Sequence, residues 1–212
     1  MRTIPPPIRS VELRDQLSEL LREALQMESL AGSPYLLRSF EDMVSGRRQP
    51  ALVEQLRAEL SAVADRIDAY CRVLQRVSQP RRHSAASVEE ALEKAAHLFN
   101  EGLFFEVHEV LEAVWLTQHE RVRPLLQGLI QIAVGFHHLE NNNLRGSLLL
   151  LKEGIEKVKG YGSDRSALEL DQFLAQVERA RESIESLGEA AFDLFDRRMI
   201  PTMPFDRVSR WT

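Results

Sequence analysis

The stretch from Gly102 to Trp115, GLFFEVHEVLEAVW, sets Glu106, His108, Glu109 and Glu112 into an otherwise apolar, helix-prone run. An imidazole among carboxylates is the raw material of general acid/base pairs and of divalent-metal sites. At about 100° per residue, Phe104, Phe105, Leu111 and Trp115 fall on one side of a helix, with His108 and Glu112 inside the same arc. This imidazole and carboxylate are therefore expected to point inward. Glu109 sits at the margin of the arc, and Glu106 lies nearly opposite Trp115, where it is expected to pair with another element or with water. Trp115 reads as a core ring whose indole N–H needs an acceptor.

The next helical run, RPLLQGLIQIAVGFHHLE, repeats the theme: Gln127, Gln131 and His138 fall in a stripe about 40° wide on the same construction. Gly128 and Gly135 lie beside that stripe; each weakens a helix by up to about 1 kcal/mol relative to alanine, but lets a neighbouring backbone come close. The stripe is expected to face the His108/Glu112 side of the preceding helix. His137 shares a face with Leu126 and Ile130 and is expected to be a core or surface histidine rather than a ligand. Together these readings predict a buried cluster of His108, Glu112, Gln127, Gln131 and His138 with Glu109 at its rim. Buried carboxylates are costly without partners, so the set must be mutually hydrogen-bonded, hold a cation, or open into a small pocket.

A structural network or small-ligand pocket is the favoured reading of that cluster. The alternative is a metal-dependent, hydrolase-like enzyme with His108, Glu112 and His138 as ligands and Glu109 as general base. The spacing tells against the known motifs: His-Glu-x-x-Glu lacks the second histidine of the zincins, and Glu109-x-x-Glu112 ends in a carboxylate where di-iron bundles have histidine. Catalysis without metal stands last, because no serine or cysteine nucleophile is fixed nearby. Absence of a cofactor is thus favoured over a divalent ion.

The elements that must position these residues are all helical, since no alternating stretch argues for a sheet. The predicted fold is an all-α multihelical bundle with an N-terminal helical hairpin arm. In the arm, residues 1–79, Leu13, Leu17, Leu20, Ala24 and Met27 form one stripe that Gly32-Ser33-Pro34 ends. Tyr35 to Val44 is a short amphipathic piece. Val53, Leu56, Leu60, Val63, Ile67, Tyr70, Leu74 and Val77 then form an unbroken heptad seam, read as packing on the first helix; pairing between chains is the alternative. Residues 80–87 form the boundary, and Ser87-Val-Glu-Glu90 has capping-box spacing. A central bundle, 87–189, follows, with helices over 88–100, 103–119, 124–141, 144–159 and 165–187, and with Asn141-Asn-Asn143 as a turn and N-cap. Residues 190–212, apolar yet proline-broken, are expected to dock as an extended strap, on their own body in preference to a neighbouring subunit.

Composition narrows the function classes. The 212 residues are 44% hydrophobic and carry a formal charge of -5, with no basic stripe for a phosphate backbone, so nucleic acid is not an expected partner. Arg47-Arg48, Arg81-Arg82 and Arg121/Arg123 read as solvated punctuation. The single cysteine, Cys71, offers no intrachain disulfide or thiolate zinc site and suits a reducing cytoplasm. No signal-like segment and no run of roughly 18 apolar residues argues for a membrane. A cytoplasmic protein is expected, with a homo-oligomer or a protein partner through the heptad-striped arm as the interaction reading.

Phe99-Asn-Glu-Gly-Leu-Phe-Phe-Glu-Val-His-Glu-Val-Leu-Glu-Ala-Val-Trp115, Gln127-Gly-Leu-Ile-Gln-Ile-Ala133, His137-His138 and Asn143-Leu-Arg-Gly146 resemble, in order and spacing, the signature of the domain of unknown function 309 family over roughly residues 95–160. The resemblance implies a compact multihelical domain without an established activity. It puts Glu106, His108, Glu109, Glu112, Trp115, Gln127, Gln131 and His138 on the positions that characterise the family, and it is silent on the arm and the tail.

Overall fold

Ser10 opens the first helix, its hydroxyl accepting the Leu13 N–H at 3.2 Å, and the apolar stripe behind it is buried to the last residue from Leu13 to Leu25. The computed structural model describes residues 4–27, 32–48, 50–77, 87–118, 122–161 and 169–204. Among them every regular element is helical and there is no strand. None of these helices is long and apolar enough to cross a membrane. The described residues form two compact units, divided between residues 77 and 87.

The first unit contains α1 (Val11–Leu25), α2 (Gly32–Val44), α3 (Val53–Ala58) and α4 (Leu60–Leu74), with a single 3-10 turn at Pro50–Leu52. α1 packs on α2 and α4, and α2 also packs on α3 and α4. Gly32-Ser33-Pro34 differs from expectation: it starts α2, with Pro34 in the first turn, where a missing N–H costs nothing. The continuous heptad seam is broken at Glu59, whose backbone (φ −117°, ψ 18°) leaves the helical region, and Leu60 is turned to solvent at 44% exposure. The Glu59 side chain has a long-range role at the break. It accepts the backbone N–H groups of Arg9 at 2.6 Å and Ser10 at 2.8 Å, binding the chain at the start of α1. Arg48 is no solvated punctuation either: its guanidinium reaches the Tyr35 hydroxyl, Ser39 and Glu23, which also accepts from Tyr35 in a short hydrogen bond.

The second unit contains α5 (Val88–Asn100), α6 (Phe104–Trp115), α7 (Val122–Glu140), α8 (Leu144–Lys159), α9 (Leu170–Leu187) and the short α10 (Ala191–Leu194). Ser87 caps α5 by accepting the Glu90 N–H at 3.2 Å. Phe99 lies at the centre of the core, with ring centroids of Phe104, Phe136 and Phe173 at 5.1, 5.9 and 5.7 Å in edge-to-face arrangements. Each such ring contributes about 1.5–3 kcal/mol by burial alone. These contacts tie α5, α6, α7 and α9 together.

The approach of α7 to α8 is closer than side chains allow. A Cβ on Gly154 would lie 2.7 Å from the Gly128 carbonyl oxygen, and one on Gly135 would lie 2.8 Å from Leu151 Cγ. Glycine is required here because backbone meets backbone. The two α7 glycines therefore serve α8, not the α6 face that their register had suggested.

The described part of the tail docks on its own unit. It is not simply extended: it runs through a 3-10 turn at Gly188–Ala190, through α10 and through a second 3-10 turn at Arg197–Met199 before extending. Phe195, Ile200, Pro201 and Met203 are buried. Trp211 and Phe205 lie outside the described residues, as do Arg81, Arg82, Arg121 and residues 165–168 of the expected last helix.

Candidate functional site

Two reversals of the chain set the ends of the helices that carry the expected site. After α5, Gly102 takes the left-handed conformation (φ 77°), its N–H donating to Phe99 O at 3.0 Å while Leu103 N–H donates to Leu98 O at 2.9 Å. This paired closure is a Schellman turn, for which glycine is the natural residue. It launches α6 directly. Asn142 (φ 56°) does the same after α7, and Asn143 N–H donates to His138 O at 2.9 Å. Asn143 then caps α8, its Oδ1 accepting the Gly146 N–H at 2.9 Å.

The inward face of α6 is Phe104, Val107, Leu111 and Val114. His108 and Glu112 are therefore not buried as expected. Their side chains are 27% and 46% exposed, and that of Glu109 is 39% exposed. The phase of the helix was read from its aromatic residues, and Phe105 and Trp115 are only half-buried, which turned the inferred arc toward solvent. Glu106, expected on the far side, is the most buried of the acids at 1% exposure and is not without a partner. α6 is covered on more than one side, so a single-face reading could not place it.

His108, Glu109 and Glu112 form a group at the solvent edge. His108 Nδ1 lies 3.0 Å from a Glu109 carboxylate oxygen, and His108 Nε2 lies 3.4 Å from one of Glu112. One donor atom from each of the three lies within 4.8 Å of the others. A neutral imidazole has one N–H and one lone pair, so both ring nitrogens can face carboxylates favourably only with a second proton or a cation in the group.

The α7 stripe goes elsewhere. Gln131 Nε2 donates to Glu153 of α8 at 2.7 Å, while its Oε1 is buried and accepts from no donor among the described residues. Gln127 is half-buried. His138 Nδ1 lies 3.2 Å from Asn143 Nδ2. Because Asn143 Oδ1 is committed to Gly146 N–H, the amide nitrogen faces the ring and donates to Nδ1, leaving the ring proton on Nε2. Burial holds the His138 pKa below its ordinary value. His138 is outside the group formed by His108, Glu109 and Glu112. Between them come Phe105 and His137: ring centroids run from His108 to Phe105 at 6.1 Å, from Phe105 to His137 at 5.6 Å and from His137 to His138 at 6.4 Å.

Trp115 is half-buried, with its indole Nε1 buried and without an acceptor among the described residues. Its ring is covered by Arg123, whose guanidinium carbon lies 3.8 Å from the ring centroid. Arg123 also donates to the carbonyls of Trp115 and Gln118, each at 3.1 Å, closing the end of α6. Sequence reasoning missed Glu153, and it read Arg123 as solvated punctuation, whereas its guanidinium is held by Trp115 and two carbonyls. For Glu153 the available signal was its neighbour Gly154, which marks where α8 meets α7.

The helices that carry His108, Glu109, Glu112, Gln131 and His138 are also where comparison with known proteins finds a match. Residues 92–150 match the family described as Domain of unknown function (DUF309). The DUF309 match thus takes in all of α6 and α7, and leaves the first unit and the tail outside. An uncharacterized protein of Aquifex aeolicus (strain VF5) is 27% identical over 90 residues, covering 42% of this chain and 27% of that relative's length. No solved structure matches.

Proposed function

We propose that the DUF309 region binds a divalent cation through His108, Glu109 and Glu112. The observation that carries this reading is one ligand atom from each of His108, Glu109 and Glu112, all within 4.8 Å of one another. A cation resolves the lone-pair conflict that a neutral ring would leave, and neutralises two adjacent carboxylates. One imidazole nitrogen with two carboxylate oxygens is a borderline donor set, suited to manganese, iron, cobalt or zinc better than to magnesium or calcium, which prefer oxygen alone. Half-exposure avoids the desolvation cost of a buried acid and leaves coordination positions open to water or a small anionic ligand. The site is accordingly a binding site on the side of α6, and His138, held by Asn143, has a separate role in the α7–α8 turn.

Calorimetric titration of zinc or manganese into chelator-treated full-length protein tests the reading. One equivalent is expected to bind, with binding lost in His108→Ala and in Glu112→Gln and kept in Glu189→Gln, an exposed acid outside the group. Wild-type protein that takes up no metal, or variants that bind as wild type does, would overturn it.

A further inference from the structure

The tail meets the second unit through a contact unlike helix packing. The Asn100 side-chain amide holds the backbone of Met203 at both ends: Met203 N–H donates to Oδ1 at 2.8 Å, and Nδ2 donates to the Met203 carbonyl at 3.1 Å. A backbone N–H can only donate, so the orientation of the amide is fixed. This is the hydrogen-bond pair that a neighbouring strand would offer an extended residue, supplied by one side chain at the end of α5. Around it Met203 is fully buried, and Ile200 and Phe195 nearly so. At the other end of the segment Arg197 donates to Glu140, at the end of α7, at 3.3 Å; that carboxylate is only 4% exposed.

We propose that this surface is a binding site for a peptide segment, and that residues 195–204, a 3-10 turn at Arg197–Met199 followed by non-helical chain through Met203, are its resident ligand in cis. Asn100 and Glu140 lie inside the stretch matched by DUF309, whereas residues 195–204 lie outside it. The receptor therefore belongs to the domain and the ligand to an appended segment. Asn100 also reads main-chain atoms, so recognition of the clamped residue requires extended backbone and an apolar side chain that can be buried, not methionine itself. The ligand class is a segment of the pattern Arg197-x-x-Ile200-Pro201-x-Met203, turned at its basic residue and non-helical from Ile200 on, with that basic residue for Glu140 and apolar residues for the surface between the anchors. Main-chain bonds supply affinity and alternate side chains supply selectivity, as in strand addition. Tethering gives the tail a high effective concentration, so a peptide from elsewhere must displace it.

A fluorescein-labelled peptide of residues 195–204, titrated against three full-length proteins, tests this. Met203→Asp weakens the tail's own hold and should bind the peptide. Wild type should bind it about tenfold more weakly or worse, since its site is occupied. The double variant Asn100→Ala/Met203→Asp should not bind it. A peptide that binds none of the three, or binds the single and double variants alike, would overturn the proposal. Amide hydrogen exchange on Asn100→Ala provides a second readout that does not depend on the Met203 variant folding. The Met203 amide should lose protection relative to wild type, with helical content unchanged by circular dichroism; equal protection would also overturn the proposal. Neither readout involves metal, so this inference and the cation site fail independently.

Discussion

His108 shows how little room one ring leaves for ambiguity. With carboxylates at 3.0 and 3.4 Å from its two nitrogens, a neutral ring can donate to only one of them, and the proposed cation would take the other nitrogen's lone pair. Its exposure decides what it costs to keep: a group that is 27% exposed is still solvated, so it adds little stability, as exposed ion pairs generally do. Glu112→Gln is therefore expected to change the free energy of unfolding by no more than about 1 kcal/mol in metal-free protein, measured by urea denaturation after chelation; a loss several times larger would mark the group as a structural network instead. Arg123 is the contrasting case. It stacks on Trp115 and donates to two carbonyls at the end of α6, so Arg123→Ala should cost about 1–3 kcal/mol. Arg123→Lys should recover only part of this, because an ammonium loses the planar fork. Equal stability of all three proteins in urea melts would contradict the clamp.

At the scale of elements, the helices and their order were legible because apolar periodicity is imposed by burial, which acts along the whole segment. α5 and α8 fall on their predicted bounds, Val88–Asn100 and Leu144–Lys159, since Ser87 and Asn143 signal their starts and Asn100-Glu-Gly102 the end of the first. What periodicity cannot supply is which neighbour a face meets. Gly128 and Gly135 were recognised as close-approach residues, but the backbone that approaches belongs to α8. Gly154→Ala is expected to destabilise by about 1–3 kcal/mol through overpacking, despite alanine's better helix propensity; a raised melting temperature would refute the backbone contact. The heptad seam of the first unit failed for a different reason. The break falls at Glu59, whose carboxylate accepts two backbone N–H groups from the start of α1, a long-range contact that no local pattern announces.

The turn between α7 and α8 also carries a pH dependence. Burial lowers the folded-state pKa of His138 below its ordinary value of 6.5, so the unfolded chain takes up the proton first. This contribution to stability is therefore complete above pH 6.5 and is lost as the pH falls through the window between that value and the lower folded-state pKa. Asn143 reinforces the direction, because its N–H donates to a lone pair that protonation would remove. A ring-proton NMR titration should give a midpoint below 6.5 for His138 in the folded protein; a midpoint above it would contradict this geometry.

For the whole molecule, the all-α class and the DUF309 resemblance could be read from sequence, the first from periodicity and the second from the order of residues around α6 and α7. The composition of the site was legible; its assembly was not. His108, Glu109 and Glu112 are neighbours because one helix carries them at adjacent and i, i+4 positions, which sequence does dictate. Gln131 and His138 part from them because their partners, Glu153 and Asn143, come from α8 and its N-cap, and that choice is made by the close packing of α7 on α8. The proposed cation site accordingly lies on one face of α6 rather than in a buried cluster between two helices. Anomalous diffraction from crystals of the full-length protein grown with zinc tests that assignment most directly. The prediction is one strong peak coordinated by His108, Glu109 and Glu112 with its remaining positions open; no peak at these residues, or one coordinated by His138 instead, would contradict it.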